Sequence, residues 1–193
     1  MKRLITVSIL VMALSISVGE ARFASAGETV NGGEEWMTLE TGYLTIYYPP
    51  DADLGLIEAD LRKRAAYFST DMPGDDAPAE EKIRYQLDAL FRRAEDILDM
   101  RPADIHIKIK IFRTIEELKD EYARIFDGIA PREGLKSFYI HKYSTIYASE
   151  ADMSDSVIAH EMAHAIVDHY FAVIPPEKVR ELLASYVDLH LAE

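Results

Sequence analysis

Ten consecutive residues do most to limit what this chain can fold into: Val157-Ile158-Ala159-His160-Glu161-Met162-Ala163-His164-Ala165-Ile166. No Gly or Pro interrupts them, and Ala, Met and Glu are strong helix formers. Apolar residues flank the polar trio on both sides, which predicts a buried helix from about Ser154 to Phe171. A spacing of four residues is slightly more than one helical turn, so His160 and His164 leave the same face. Two neutral imidazoles so placed can bind one cation. Glu161, one position along, is poorly placed to join them but can reach the water on the ion's open side. A carboxylate there acts as general base in metal-assisted hydrolysis.

A catalytic zinc takes three protein ligands and leaves one place for water. Cysteine is absent from the chain, so the third ligand must be His, Asp or Glu, and disulfide scaffolds, thiolate sites and cysteine nucleophiles are excluded. Asp168 and His169 follow on the same helix; Asp168 extends the His160/His164 face but lies one turn further along. The chain then reverses through Ala172 to Pro175. Pro176 is suited to the first position of a last helix that carries Glu181 one turn inside its start. A helix–loop–helix of this length can return Glu181 to the His pair. Its neighbours Leu182, Leu183, Ala184, Tyr186 and Val187 predict a largely buried helix, where a carboxylate needs a partner.

Upstream, Trp36 to Tyr48 reads as a hairpin turning near Gly42, with β-branched and aromatic residues suited to strands. Helical spacing follows at Leu54, Ile57, Leu61, Ala65 and Phe68, and again at Ile83, Leu87, Leu90, Phe91, Ala94, Ile97 and Leu98, with a loop over Met72 to Ala79 between them. Ile105-His106-Ile107-Lys108-Ile109-Lys110-Ile111 alternates strictly, the pattern of a strand with one buried face. His106, Lys108 and Lys110 then share the other face, expected to be solvated, with a small basic ligand patch as the alternative. Thr114 with Glu117 forms a capping box for a helix that Asp127-Gly128 stops. Leu135 to Ile140 and Ser144 to Ser149 are two further strands. The fold class expected is therefore α+β: one domain over residues 27–193, with a small mixed sheet packed on helices and a C-terminal helix pair.

His160-Glu161-Met162-Ala163-His164, followed by Ile174-Pro175 and Glu181-Leu182-Leu183-Ala184-Ser185-Tyr186, resembles the MA-like zinc metallopeptidases of the gluzincin group. In that group H-E-x-x-H is followed by a Pro and then by an E-G-L-A-x-Y-like helix whose Glu binds zinc. The order of upstream elements is similar too, so the resemblance extends loosely from Tyr43 to the last residue. It implies a minimal zincin-like domain with His160, His164 and Glu181 as zinc ligands and Glu161 as base. Two departures stand out. Leu182 replaces the usual Gly and is expected to crowd the zinc side, and about a dozen residues follow Glu181, too few for the helical subdomain that walls the cleft of larger members.

Other roles stay open at this level. Tyr143, His169, Tyr170, Tyr186 and His190 are candidates to stabilise an oxyanion. Asp168, Ser185 and Asp188 are candidates to orient a ligand imidazole through its other nitrogen. The strand Tyr143 to Ser149, just before the metal helix, is the expected edge for an extended peptide. His106 and His141 read as structural or surface residues.

The first 26 residues predict a secretory signal. Lys2 and Arg3 precede an apolar run from Leu4 to Val18, and Ala24-Ser25-Ala26 offers a cleavage site. That run falls short of the roughly 20 residues that span a bilayer, so no stable membrane span is expected after cleavage. The formal charge of −13 opposes binding to nucleic acid, which needs clustered Lys and Arg to displace counterions. The expectation is an exported, periplasmic or secreted zinc peptidase acting on peptide or protein substrates. The alternative is a catalytically inactive zinc-binding or protein-binding module with the same fold.

Overall fold

The computed structural model describes residues 28–29, 35–62 and 72–192. The expected signal (residues 1–26) and the helical positions Ala65 and Phe68 lie outside the described residues. Five strands make a mixed sheet: β2 (Glu35–Glu40), β3 (Leu44–Tyr48), β4 (Ile107–Phe112), β5 (Ser137–Ile140) and β6 (Thr145–Ser149). The two-residue β1 (Glu28–Thr29) pairs with β2 at one margin. The strand order is β1-β2-β3-β4-β6-β5, parallel at β3–β4 and β4–β6 and antiparallel elsewhere. The helices are α1 (Leu54–Leu61), α2 (Ala79–Leu98), α3 (Ile115–Ile125), α4 (Asp155–Tyr170) and α5 (Glu177–His190). The chain is thus α+β with one mixed sheet, and no described helix is long and apolar enough to cross a membrane.

The period of two along each strand divides the core. Leu44, Ile46, Ile107, Ile109, Ile111, Ile146 and Ala148 face one way, into a large cluster shared with α1, α2, α4 and α5. Trp36, Phe112 and Tyr147 face the other way and meet Leu118 of α3 in a smaller one. The alternation read from Ile105 to Ile111 therefore holds, but the face bearing Lys108 and Lys110 is not simply solvated. α3 lies over part of it and leaves a cavity that both lysines line.

The β2–β3 hairpin turns at Gly42 as expected, and α2 fixes the turn. Asp88 accepts hydrogen bonds from the backbone N–H of Gly42 at 3.0 Å and of Tyr43 at 3.3 Å. A Cβ at residue 42 would stand 3.1 Å from the Asp88 carboxylate, so the close approach of helix and turn favours Gly there. Thr114 caps α3 by accepting from Glu117 N at 3.1 Å. Glu117 reaches back to Arg113 N at 3.0 Å, one residue before the cap, a displaced version of the expected box. Pro176 is the N-cap of α5, so the helix starts one residue later than expected.

β6 is not an edge. It is bonded to β4 on one side and β5 on the other, which leaves no free main-chain row for a substrate. β5 is the margin of the described sheet on that side, and it packs directly against α4. The expectation failed because strand order is a long-range property, invisible in the local pattern of residues 143–149.

Candidate metal centre

α4 is hydrophobic on nearly every side, and eleven of its sixteen residues are buried between the sheet and the other helices. That burial fixes the helix and aims His160 and His164 outward together, their ring centroids 4.9 Å apart. α5 returns antiparallel to the expected place. Glu181 Oε2 lies 3.7 Å from His160 Nε2, and Glu181 Oε1 lies 3.5 Å from His164 Nε2. All three ligand atoms fall within 4.8 Å of one another.

Two donors each about 2.0–2.2 Å from a tetrahedral ion stand roughly 3.3–3.6 Å apart. A direct charge-assisted hydrogen bond would instead bring N and O to about 2.7–2.9 Å. The 3.5 Å pair falls in the first range and the 3.7 Å pair just beyond it, both longer than a hydrogen bond, so the group could hold a metal ion. Two imidazoles and a carboxylate are also a donor set suited to zinc and to other first-row divalent ions.

Protonation agrees with this geometry. Burial, together with neighbouring His160 and Arg180, pushes His164 down from 6.5 to about 4, so its ring is neutral near pH 7 and has a lone pair to donate. Burial pushes Glu161 up from 4.5 to about 7, aided by the nearby Glu181 charge. Two contacts resist that rise: Ser137 Oγ donates to Glu161 Oε1 at 2.7 Å, and the backbone N–H of Tyr139 donates to the same carboxylate. Both come from β5. A general base works best with a pKa near the working pH.

Ser137 is the contact that sequence reasoning missed. Its signal was parity: Ser137 and Tyr139 lie two apart on β5 and share the face turned toward α4, while Phe138 and Ile140 turn to the α3 side. Only knowledge that β5 lies beside α4 would have selected it.

The remaining candidates separate. Asp168 does not orient a ligand imidazole. Its fully buried side chain accepts from Arg180 Nη1 at 3.2 Å and lies 3.9 Å from His141 Nδ1. Arg180 directly precedes Glu181, so this pair ties the start of α5 to α4. Ser185 is exposed, and Asp188 lines a cavity beside His160. His164 Nδ1 is buried with no hydrogen-bond partner. Among the oxyanion candidates, His169 bonds the Ala165 carbonyl, Tyr186 stacks on His190, Tyr170 meets Phe171, and Tyr143 lines the cavity on the opposite face of the sheet.

Two expectations about α5 are corrected. The helix is not largely buried, since only Ala184 and Val187 are, and Glu181 remains 55% exposed. Its partner is the His pair rather than a dry interior. Leu182 is 70% exposed, so it does not crowd the His side. In an antiparallel pair only one stripe of α5 faces α4, and residue 182 is off that stripe.

A cavity of about 390 Å³ runs along one flank of the site. Residues 132–137, leading into and starting β5, form one wall; Ser156, Val157 and His160 of α4 and Asp188 of α5 form the other. In comparisons with known proteins, the chain matched no family model, no curated protein and no solved structure.

Proposed function

We propose that this protein is a zinc-dependent peptidase, with His160, His164 and Glu181 holding the ion and Glu161 as general base. The observation that carries the reading is the 3.5 and 3.7 Å spacing of the Glu181 oxygens from the two Nε2 atoms, at a point bordered by a carboxylate poised near neutrality. Zinc bound there supplies a Lewis acid that polarises a carbonyl and acidifies a water.

The chain's own residues do the rest. Glu161 takes a proton from the attacking water and delivers it to the leaving amine, a shuttle for which a carboxyl pKa near 7 is suited. Ser137 holds one carboxylate oxygen in place and so orients the group that carries the proton. β5 offers a strand edge to an extended peptide, and the adjoining groove gives its side chains room. This main-chain mode holds substrate by backbone pairing and demands little of its sequence. The resemblance to gluzincins is consistent with the same assignment. The N-terminal signal pattern supports export to the periplasm or beyond.

One observation favours the alternative, a zinc-holding binding module without turnover. Glu161 is already tethered twice to β5, by Ser137 and by the Tyr139 N–H, and the second tether occupies a main-chain donor of the strand proposed to bind substrate. Hydrolysis requires that tether to give way when peptide binds.

The test is cleavage of a mixed library of internally quenched peptides by the zinc-loaded protein and by Glu161→Gln. The expected result is turnover that falls by about 10²–10⁴-fold in the variant, with zinc still bound. Equal cleavage by the variant would overturn the role of Glu161. Stoichiometric zinc with no cleavage by the unmodified chain would leave the binding module.

A further inference from the structure

The sheet face turned away from the metal centre carries a second constellation. α3 has eleven residues and covers only part of that face, leaving a cavity of about 660 Å³ beside it. Strand register builds its floor in two rungs. Tyr47 of β3, Lys110 of β4 and Tyr147 of β6 stand side by side in one, and Lys108 and Thr145 in the next. Trp36 closes one end, with the Lys110 ammonium 4.6 Å from its ring centroid, and Arg124 of α3 forms a wall.

Charge is unbalanced here. Among the described residues one carboxylate lines the cavity, Glu121, which accepts from Arg124 at 2.6 and 2.8 Å and from Lys110 at 3.5 Å. Lys108 is exposed and has no ion-pair partner among the described residues. Three described cations thus line the cavity beside one described anion, in a chain whose formal charge is −13. A positive recess in a negative surface attracts anions small enough to enter, while the surrounding charge repels polyanions. The volume fits a small ligand, for which about 300–1,000 Å³ is usual. The rings of Tyr47 and Tyr143 give it flat walls suited to an aromatic body, while Trp36 and Tyr147 are nearly buried beneath Lys110 and Phe138.

We propose that this cavity binds a small organic anion, a single acidic group on a flat apolar body, with Lys108 and Arg124 taking the acid and the aromatic walls taking the body. This inference is independent of the metal centre and of the peptidase reading.

The chain has a single Trp, so Trp36 gives the one indole N–H resonance, and its ring lines this cavity. The experiment is calorimetric titration of the full chain with naphthalene-2-sulfonate, paired with the shift of that resonance. The expected result is saturable one-to-one binding that moves the Trp36 signal. It weakens at least tenfold in Lys108→Glu, an exposed position without an ion-pair partner among the described residues, and in Arg124→Gln, titrated well below its own thermal transition. It also weakens at least fivefold for the neutral isostere 2-naphthyl methyl sulfone. Equal affinity for the neutral isostere, unchanged affinity in both variants, or an unmoved Trp36 signal would overturn the proposal. Displacement by inorganic phosphate at equal concentration would overturn the role of the flat body.

Discussion

The two helices of the candidate centre are built in opposite ways. α4 buries eleven of sixteen residues, and its place is set by apolar packing on the sheet. α5 buries two of fourteen and exposes Leu182 and Leu189 to 70% and 75%. Ala184 and Val187 join the main core, with Leu191 just beyond the helix, and polar contacts hold the two ends of α5. Asp168 grips Arg180 at one end, and Arg93 of α2 donates to the His190 carbonyl at 2.9 Å and the Leu191 carbonyl at 3.4 Å at the other. The candidate centre thus joins two side chains on a helix buried over most of its length to a third on a helix anchored by a narrow apolar stripe and by an arginine at each end.

If that division is real, Asp168→Ala should do the most damage, because it leaves Arg180 charged against a buried site. Loss of one partner of a buried pair costs about 3–5 kcal/mol, measured by urea denaturation. The double change Asp168→Leu with Arg180→Met should recover much of that stability but not metal affinity, since α5 loses its tie beside Glu181. Equal recovery of both would mean that α5 needs no such tie.

On the core side, Ile166→Ala in α4 should cost about 2–5 kcal/mol, the usual range for truncating a fully buried aliphatic side chain. A cost below 1 kcal/mol would contradict the claim that packing sets α4.

A pH series sharpens the comparison at the level of single groups in the metal-free protein. Folding lowers the pKa of His164 to about 4, so the unfolded chain binds the extra proton between pH 4 and 6.5 and stability from this group rises with pH across that window. Folding raises Glu161 to about 7, so its contribution is full below 4.5 and is lost as pH climbs to 7. Each amounts to about 3 kcal/mol, and the two slopes oppose one another. Relative to wild type, Glu161→Gln should gain stability with rising pH, and His164→Gln should lose it. Parallel pH profiles for wild type and both variants would refute the burial of these two groups.

The smallest effect is expected on the outer face of α5. Leu182→Ala and Leu189→Ala should each lie within about 0.5 kcal/mol of wild type. A loss of 2 kcal/mol at either would show that this face is covered in solution.

How far the sequence was informative follows the same division. The α4 helix, its paired His residues and the return of Glu181 are consequences of local periodicity and loop length, and all three are legible in residues 154–193. So are the hairpin at Gly42, the alternating β4 and the cap at Thr114. What depends on strand order was not legible. β6 was expected to be an edge from its place just before α4, yet it is interior because β5 adds outside it. Ser137 gives no local hint that it will meet Glu161. The exposure of α5 was misread for a related reason: its apolar residues suggest burial, but only one stripe of a terminal helix finds a neighbour.

The most direct measurement is calorimetric titration of metal-free protein with zinc, for wild type and Glu181→Ala. One zinc per chain is predicted, with affinity falling at least a hundredfold in the variant. Identical affinities, or no saturable binding by the wild type, would contradict a centre built from both helices.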